Sequence, residues 1–129
     1  MSIWMKLSWV ALGGALGAMS RYATALLAVR WFGPKYPLGT FAANMIGCLV
    51  MGVAFGLSQQ KVVLHNEHAK LFLMVGFLGA FTTFSSFALD SVLLMRQQSL
   101  TAMLLNLGAQ NVLGLLLVLV GVWAAQTFF

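Results

Sequence analysis

The sequence predicts an all-α integral membrane protein with four transmembrane helices per subunit, and three observations carry that prediction. The chain of 129 residues is 61% hydrophobic and only 7% charged, whereas a soluble domain carries roughly 25% charged residues. Its apolar residues fall into four runs, at 4–29, 38–57, 69–94 and 100–125. Each is long enough to supply the about 20 apolar residues that cross the hydrocarbon. Little sequence remains between the runs. The expected organisation is a single four-helix transmembrane domain over residues 1–129, with no soluble domain.

The first run begins near Lys6 and continues past Ala18 and Arg21 to Val29. Without a clear processing site, it reads as a span rather than a signal peptide. Gly13, Gly17 and Arg21 recur every fourth residue and share one face. The first connection, residues 31–37 (WFGPKYP), combines Gly33, Pro34 and Pro37, which is strong helix-breaking chemistry. Trp31, Phe32 and Tyr36 in the same stretch suit the aromatic belt at a membrane interface. On the second run Asn44, Cys48, Gly52 and Gly56 share a face. Such small-residue faces let helices approach closely, and Gly52 with Gly56 forms a candidate GxxxG contact. Residues 59–68 form the longest polar connection, and the link at 96–99 is short. A short link predicts that the third and fourth helices are antiparallel neighbours.

The third run contains the most informative stretch, residues 76–87 (GFLGAFTTFSSF), with two glycines, two threonines and two serines. That composition makes a poor uniform helix and predicts a third helix broken mid-membrane. In hydrocarbon, backbone groups released by a break need partners within the protein or in a water-filled cavity. Broken helices at such depth therefore line sites or paths.

The net charge of +5 comes from scattered residues and not from a basic patch, so nucleic acid is not an expected partner. With four spans, Lys6, Lys61 and Lys70 fall on one side, and Arg30, Lys35 and Arg96 on the other. Three against three gives no positive-inside bias. Either something else sets the orientation or the chain inserts both ways. The second option allows an antiparallel homodimer, the intermolecular counterpart of an inverted repeat.

Enzymatic chemistry gets no support, because the only acids are Glu67 and Asp90 and no nucleophile–base set can be assembled at membrane depth. His65, Glu67 and His68 (HNEH) are loosely spaced for a metal and read as solvated side chains. Cys48 stands alone, which excludes an intrachain disulfide, and reads as a small packing residue. Asn44, Asn106 and Gln110 are embedded amides, the last two on one face, with Asn111 offset from it. Amides donate hydrogen bonds without carrying charge, which suits an anion path. They also serve as interhelical glue, and both readings stand for these three; for Asn111 glue is favoured. Phe84 and Phe87 lie among Thr82, Thr83, Ser85 and Ser86. A ring edge is electropositive, so rings presented edge-on beside hydroxyls can coordinate a small anion. Arg21 and Asp90 are costly in a membrane unless paired or solvated. A structural role is expected for both, and a mutual ion pair or snorkelling of each to an interface remains open.

The residues GGALGAMSRY (13–22), PLGTFAANMIG (37–47) and GFLGAFTTFSSF (76–87), followed by the amide-bearing fourth helix, resemble in order and spacing the small bacterial fluoride channels of the Fluc, or CrcB, family. The resemblance implies an antiparallel, dual-topology homodimer with two fluoride pathways. It places Asn44, Phe84 and Phe87 on the pathway, with Thr83 and Ser85 beside the rings, and continues the track through Asn106 and Gln110. It also implies a structural sodium ion at the dimer centre, held by the backbone carbonyls of Gly79 and Thr82. Many relatives have Ser one turn after Gln110, where this chain has Gly114, and the familiar GG of the third helix is Gly79-Ala80 here.

The implied activity is not enzymatic. It is passive export, across the bacterial inner membrane, of fluoride that entered as neutral HF. Fluoride is small and tightly hydrated, so its path must supply closely placed donors, and several weak sites let the ion leave. One rival is a small multidrug-type proton antiporter. Such a transporter needs a carboxylate on the path, usually in the first helix, and that helix has none. The other rival is a structural membrane subunit whose polar residues only join helices.

Overall fold

The computed structural model describes residues 1–60 and 64–129. Lys61, one of the charges counted above, lies outside the described residues. Among the described residues every regular element is helical. Four stretches are long and apolar enough to cross a membrane: Ile3–Phe32, Leu38–Gln59, Glu67–Gln97 and Leu100–Phe128.

Helix α1 (Ile3–Phe32) begins at Ser2, whose hydroxyl accepts from the Met5 N–H at 3.3 Å, satisfying one of the amides that a helix start leaves open. It ends at Gly33, where φ is +79° and the N–H donates to the Val29 carbonyl at 2.9 Å. A positive φ is cheap only for glycine. Helix α2 (Leu38–Gln59) starts directly after Pro37, which cannot continue a helix backwards but starts one readily.

The third span is composite. It runs from α3 (Glu67–Lys70), capped by Asn66, through a π-helical stretch (Leu71–Leu78) into α4 (Gly79–Phe81). Such wider turns are rare overall and frequent at functional sites. Thr82 (φ −82°, ψ 156°) and Thr83 (φ −151°, ψ 119°) then take extended dihedrals. Helix α5 (Phe84–Gln97) restarts with the Thr83 side chain accepting from the Ser86 N–H at 3.2 Å. Helix α6 (Leu100–Phe128) starts the same way, with the Ser99 hydroxyl accepting from the Ala102 N–H at 3.1 Å.

Packing follows the small residues. A Cβ on Gly13 or Gly17 would overlap the backbone of Phe72 or Phe77, so α1 lies flush against the π-helical stretch. Gly52 of α2 faces the Val118 carbonyl, and Gly121 of α6 faces the Leu49 carbonyl. With nothing but hydrogen on the glycine Cα atoms, these backbones approach as closely as membrane helix packing allows. The short third link does bring α5 and α6 into contact, but α6 packs chiefly along α2. The two ends of the bundle also sort. At one, Lys6 pairs with Glu67 at 2.6 Å and Gln60 donates to the Ala125 carbonyl at 3.1 Å. At the other, Tyr36 and Pro37 share a cavity with Leu94 and Ser99. The N-terminus and second connection thus lie opposite the first and third. The Lys6–Glu67 pair is exposed and contributes little by itself.

Arg21 does not resolve into a pair with Asp90. Its Nε donates to the Ala80 carbonyl at 3.1 Å, on the last turn before the extended threonines. Asp90 lines a separate cavity with Lys35, Tyr36 and Gln97, and its buried Oδ2 has no hydrogen-bond partner among the described residues.

Candidate functional site

The interruption of the third span is built around Asn44. The Thr83 N–H, which a continuous helix would give to the Gly79 carbonyl, donates to Asn44 Oδ1 at 2.8 Å. Asn44 Nδ2 donates back to the Thr83 carbonyl at 3.2 Å. One primary amide thereby occupies both backbone groups of the extended residue. The free backbone polarity that hydrocarbon would penalise is met from within the protein. The Gly79 carbonyl is released from the helical ladder in the process. The Thr82 N–H and hydroxyl both donate to the Leu78 carbonyl at 3.0 Å, while the Thr82 methyl fills the space over Gly47 of α2.

From Asn44 the hydrogen bonds run onwards into α6. Asn44 Nδ2 donates to Gln110 Oε1 at 2.8 Å, and Gln110 Nε2 donates to Asn106 Oδ1 at 3.1 Å. Asn106 Nδ2 donates to the Ser91 hydroxyl at 2.9 Å, which donates to the Phe87 carbonyl at 2.7 Å. Gln110 and Ser91 are buried, at 7% and 2% exposure. Asn111 is exposed and spends its amide on the Leu107 carbonyl at 2.7 Å, outside this chain of bonds.

Beside the amides lies an open cavity of ≈ 260 Å³, lined by Asn44, Thr82, Thr83, Phe84, Phe87 and Gln110 among others. The two phenylalanines divide. Phe87 is buried at 7% exposure, Phe84 stands out at 79%, and their ring centroids are 5.6 Å apart with planes at 55°. The Thr83 hydroxyl bonds the Ser86 hydroxyl at 3.1 Å and the Ser85 hydroxyl at 3.3 Å. The cavity meets the start of α5, whose unsatisfied N–H groups and dipole favour negative charge. The walls therefore offer amide donors, hydroxyls, a helix start and two aromatic rings, with no formal charge among the lining groups named here.

Among the described residues no three His, Cys, Asp or Glu side chains come together as a metal site. Of the HNEH residues, Glu67 and His68 open α3; Glu67 pairs with Lys6, and the His68 ring packs against Trp9 at 5.4 Å. Oxygen donors for a hard cation occur elsewhere, as backbone carbonyls at the interruption. The sequence reading missed Ser91. A single serine after Asp90 and before the apolar residues 92–95 carries no local signal, and its meaning comes only from Asn106 on another helix.

Residues 8–122 match the family model described as CrcB-like protein, Camphor Resistance (CrcB). The chain belongs to the CrcB family. A Salinibacter ruber member, named a fluoride-specific ion channel FluC, is 43% identical over 122 residues, 94% of this chain and 90% of its own. A Nitrosococcus oceani protein of the same name is 36% identical, with 96% of this chain and 98% of its own length covered. A Magnetococcus marinus one is 43% identical over 80% of this chain and 83% of its own. The family is thus one of ion channels and not of enzymes, and with four span-length apolar helices this CrcB chain is a multi-pass membrane protein. At Gly114, one turn after Gln110, a Cβ would meet Cys48 Sγ at 3.4 Å.

Proposed function

We propose that this chain is a fluoride-selective channel that lets fluoride leave the cell passively across the inner membrane and so lowers its toxicity. The observation that carries the reading is the Asn44–Gln110–Asn106 amide series joined to the interrupted third span beside Phe84 and Phe87, in a chain whose relatives are named fluoride-specific channels. Uncharged donors in a low-dielectric wall replace part of an anion's hydration without trapping it. The pathway would run past Phe84, Phe87, Thr83 and Ser85 to Asn44, Gln110 and Asn106, within a single four-helix transmembrane domain over residues 1–129. Arg21 and Asp90 keep structural roles. Arg21 braces the last turn before the interruption through the Ala80 carbonyl.

The working unit in this reading is an antiparallel homodimer with two pores. Balanced loop charges and the exposure of Phe84 on the single chain support it. A sodium ion at the dimer centre would be held by the carbonyls of Gly79 and Thr82. The fit is chemical: diverting the Thr83 N–H to Asn44 frees the Gly79 carbonyl, and unwound backbone carbonyls are the usual ligands for sodium in broken membrane helices. Bound there, the ion would supply a fixed positive charge that ties the two interruptions together.

Fluoride efflux from liposomes holding the purified protein tests the channel. Efflux that disappears in Asn44→Ala, with the protein still monodisperse, is the expected result. Absence of efflux from the unsubstituted protein would end the reading. The same hydrogen bonds also favour a second reading, a structural subunit in which the amides only join helices. No efflux from the unsubstituted protein would favour that one, and loss of efflux in Asn44→Ala with the assembly intact would dispose of it.

A further inference from the structure

We propose that Ser91 is a positioning residue that fixes the direction of the amide series and so decides which atoms face the anion. The inference rests on the channel reading and adds a residue to it. Each primary amide has two N–H donors on one side and an acceptor oxygen on the other. A row of amides can point either way unless its ends are pinned. Here both ends terminate on backbone groups that cannot reverse. At the start, Asn44 faces the Thr83 N–H with its oxygen and the Thr83 carbonyl with its nitrogen. Turning that amide over would set donor against donor and acceptor against acceptor.

The consequence propagates. Asn44 spends its second N–H on Gln110 Oε1, so Gln110 must present nitrogen to Asn106. Asn106 must then present nitrogen to Ser91. The Ser91 hydroxyl can accept that bond only by sending its own proton elsewhere, and it sends it to the Phe87 carbonyl at 2.7 Å. A carbonyl can only accept, so the series is closed at this end as well. The circuit leaves the extended residue Thr83 and returns to α5 at Phe87.

The bookkeeping of atoms shows what this achieves. Asn44 uses both of its N–H groups, whereas Gln110 and Asn106 each use one and keep one. Every amide oxygen of the series accepts an internal bond. The groups left over are therefore donors. Along the series an anion meets spare N–H groups, while each amide oxygen is turned inward onto an internal bond. Without the Ser91 hydroxyl, Asn106 is held only by the bond that Gln110 Nε2 donates to its oxygen, and its amide can swing away from the fixed direction. Ser91 is 2% exposed and need not touch the ion to have this effect.

The test uses the full chain in liposomes and planar bilayers, with Ser91→Ala and Ser91→Thr beside the unsubstituted protein. Threonine keeps a hydroxyl that can bond back to the carbonyl four residues earlier. Ser91→Ala should slow fluoride efflux about five- to tenfold, the equivalent of one net hydrogen bond. It should also move the reversal potential in a KF gradient away from the fluoride value, because an exposed oxygen admits potassium. Ser91→Thr should restore both. A structural role alone would lower the amount of active protein and leave the reversal potential in place. Wild-type rate and reversal potential in Ser91→Ala would overturn the proposal, as would a loss that adds in full to that of Asn106→Ala in the double variant. Should Ser91→Ala fail to assemble, Ser91→Cys carries the same expectations, since a thiol is a similar-sized but weak acceptor. Silence of the unsubstituted protein would instead strike the channel reading itself.

Discussion

Among single residues, the two phenylalanines divide between a packed ring and a bare one. Phe87 is buried at 7% exposure and Phe84 is 79% exposed, although the sequence presents them as a matched pair three residues apart. Truncating a buried ring leaves a cavity, and Phe87→Ala should cost about 3 kcal/mol of stability. Phe84→Ala should leave the melting temperature of a detergent-solubilised single chain nearly unchanged while reducing fluoride efflux at least as strongly. Thermal melts paired with liposome efflux check both; equal destabilisation by the two substitutions would contradict the division. Individual identities such as Asn44 and Gln110 were legible in the sequence because amides at membrane depth are expensive and so stand out. Their pairing was not, since Asn44 and Gln110 are 66 residues apart and nothing local aligns them. Ser91 was invisible for the same reason, as its partner Asn106 lies on α6.

Between elements, the backbone approaches decide how much a methyl group matters. A Cβ at Gly52 would overlap the Val118 carbonyl of α6, whereas nothing lies within 4 Å of the position at Gly108. Backbone cannot swing aside as a side chain can, so Gly52→Ala should cost about 1–3 kcal/mol through overpacking. Gly108→Ala should be neutral or stabilise by up to about 1 kcal/mol, the helix propensity difference. Denaturant titration of each variant measures the contrast, and a destabilising Gly108→Ala would mark a contact with a second copy of the chain. Four apolar helices were legible from hydropathy and length, and the small-residue faces were legible from their spacing. What they pack against was not. Gly13 and Gly17 meet the third span and Gly52 meets α6, while the short third link told only that α5 and α6 are neighbours and not that α6 packs chiefly along α2. Spacing tells which side of a helix is flat, but the partner depends on the whole bundle. The π-helical stretch at Leu71–Leu78 has no sequence signature beyond apolar residues.

For the whole molecule, the balance of charge makes an argument about assembly. Lys6 and Lys70 lie towards the end where α1 meets Glu67, and Arg30, Lys35 and Arg96 flank the opposite connections. Topology follows the excess of Lys and Arg on short loops, so a nearly even split leaves both orientations accessible. Adding two lysines to the 31–37 connection should drive the chain into one orientation, and adding two before Lys6 should drive it into the other. Terminal reporters read on each side of the membrane would measure this directly. If the working unit is antiparallel, each biased variant alone lacks a properly oriented partner. Fluoride resistance of cells making either one should fall, and making both together should restore it. A parallel dimer or a monomer predicts the reverse: each biased variant would protect by itself, and co-expression would add nothing. The outcome also bears on the site, because Phe84 is bare on the single chain. An antiparallel partner would be the surface that turns an open cavity beside Asn44 into an enclosed path.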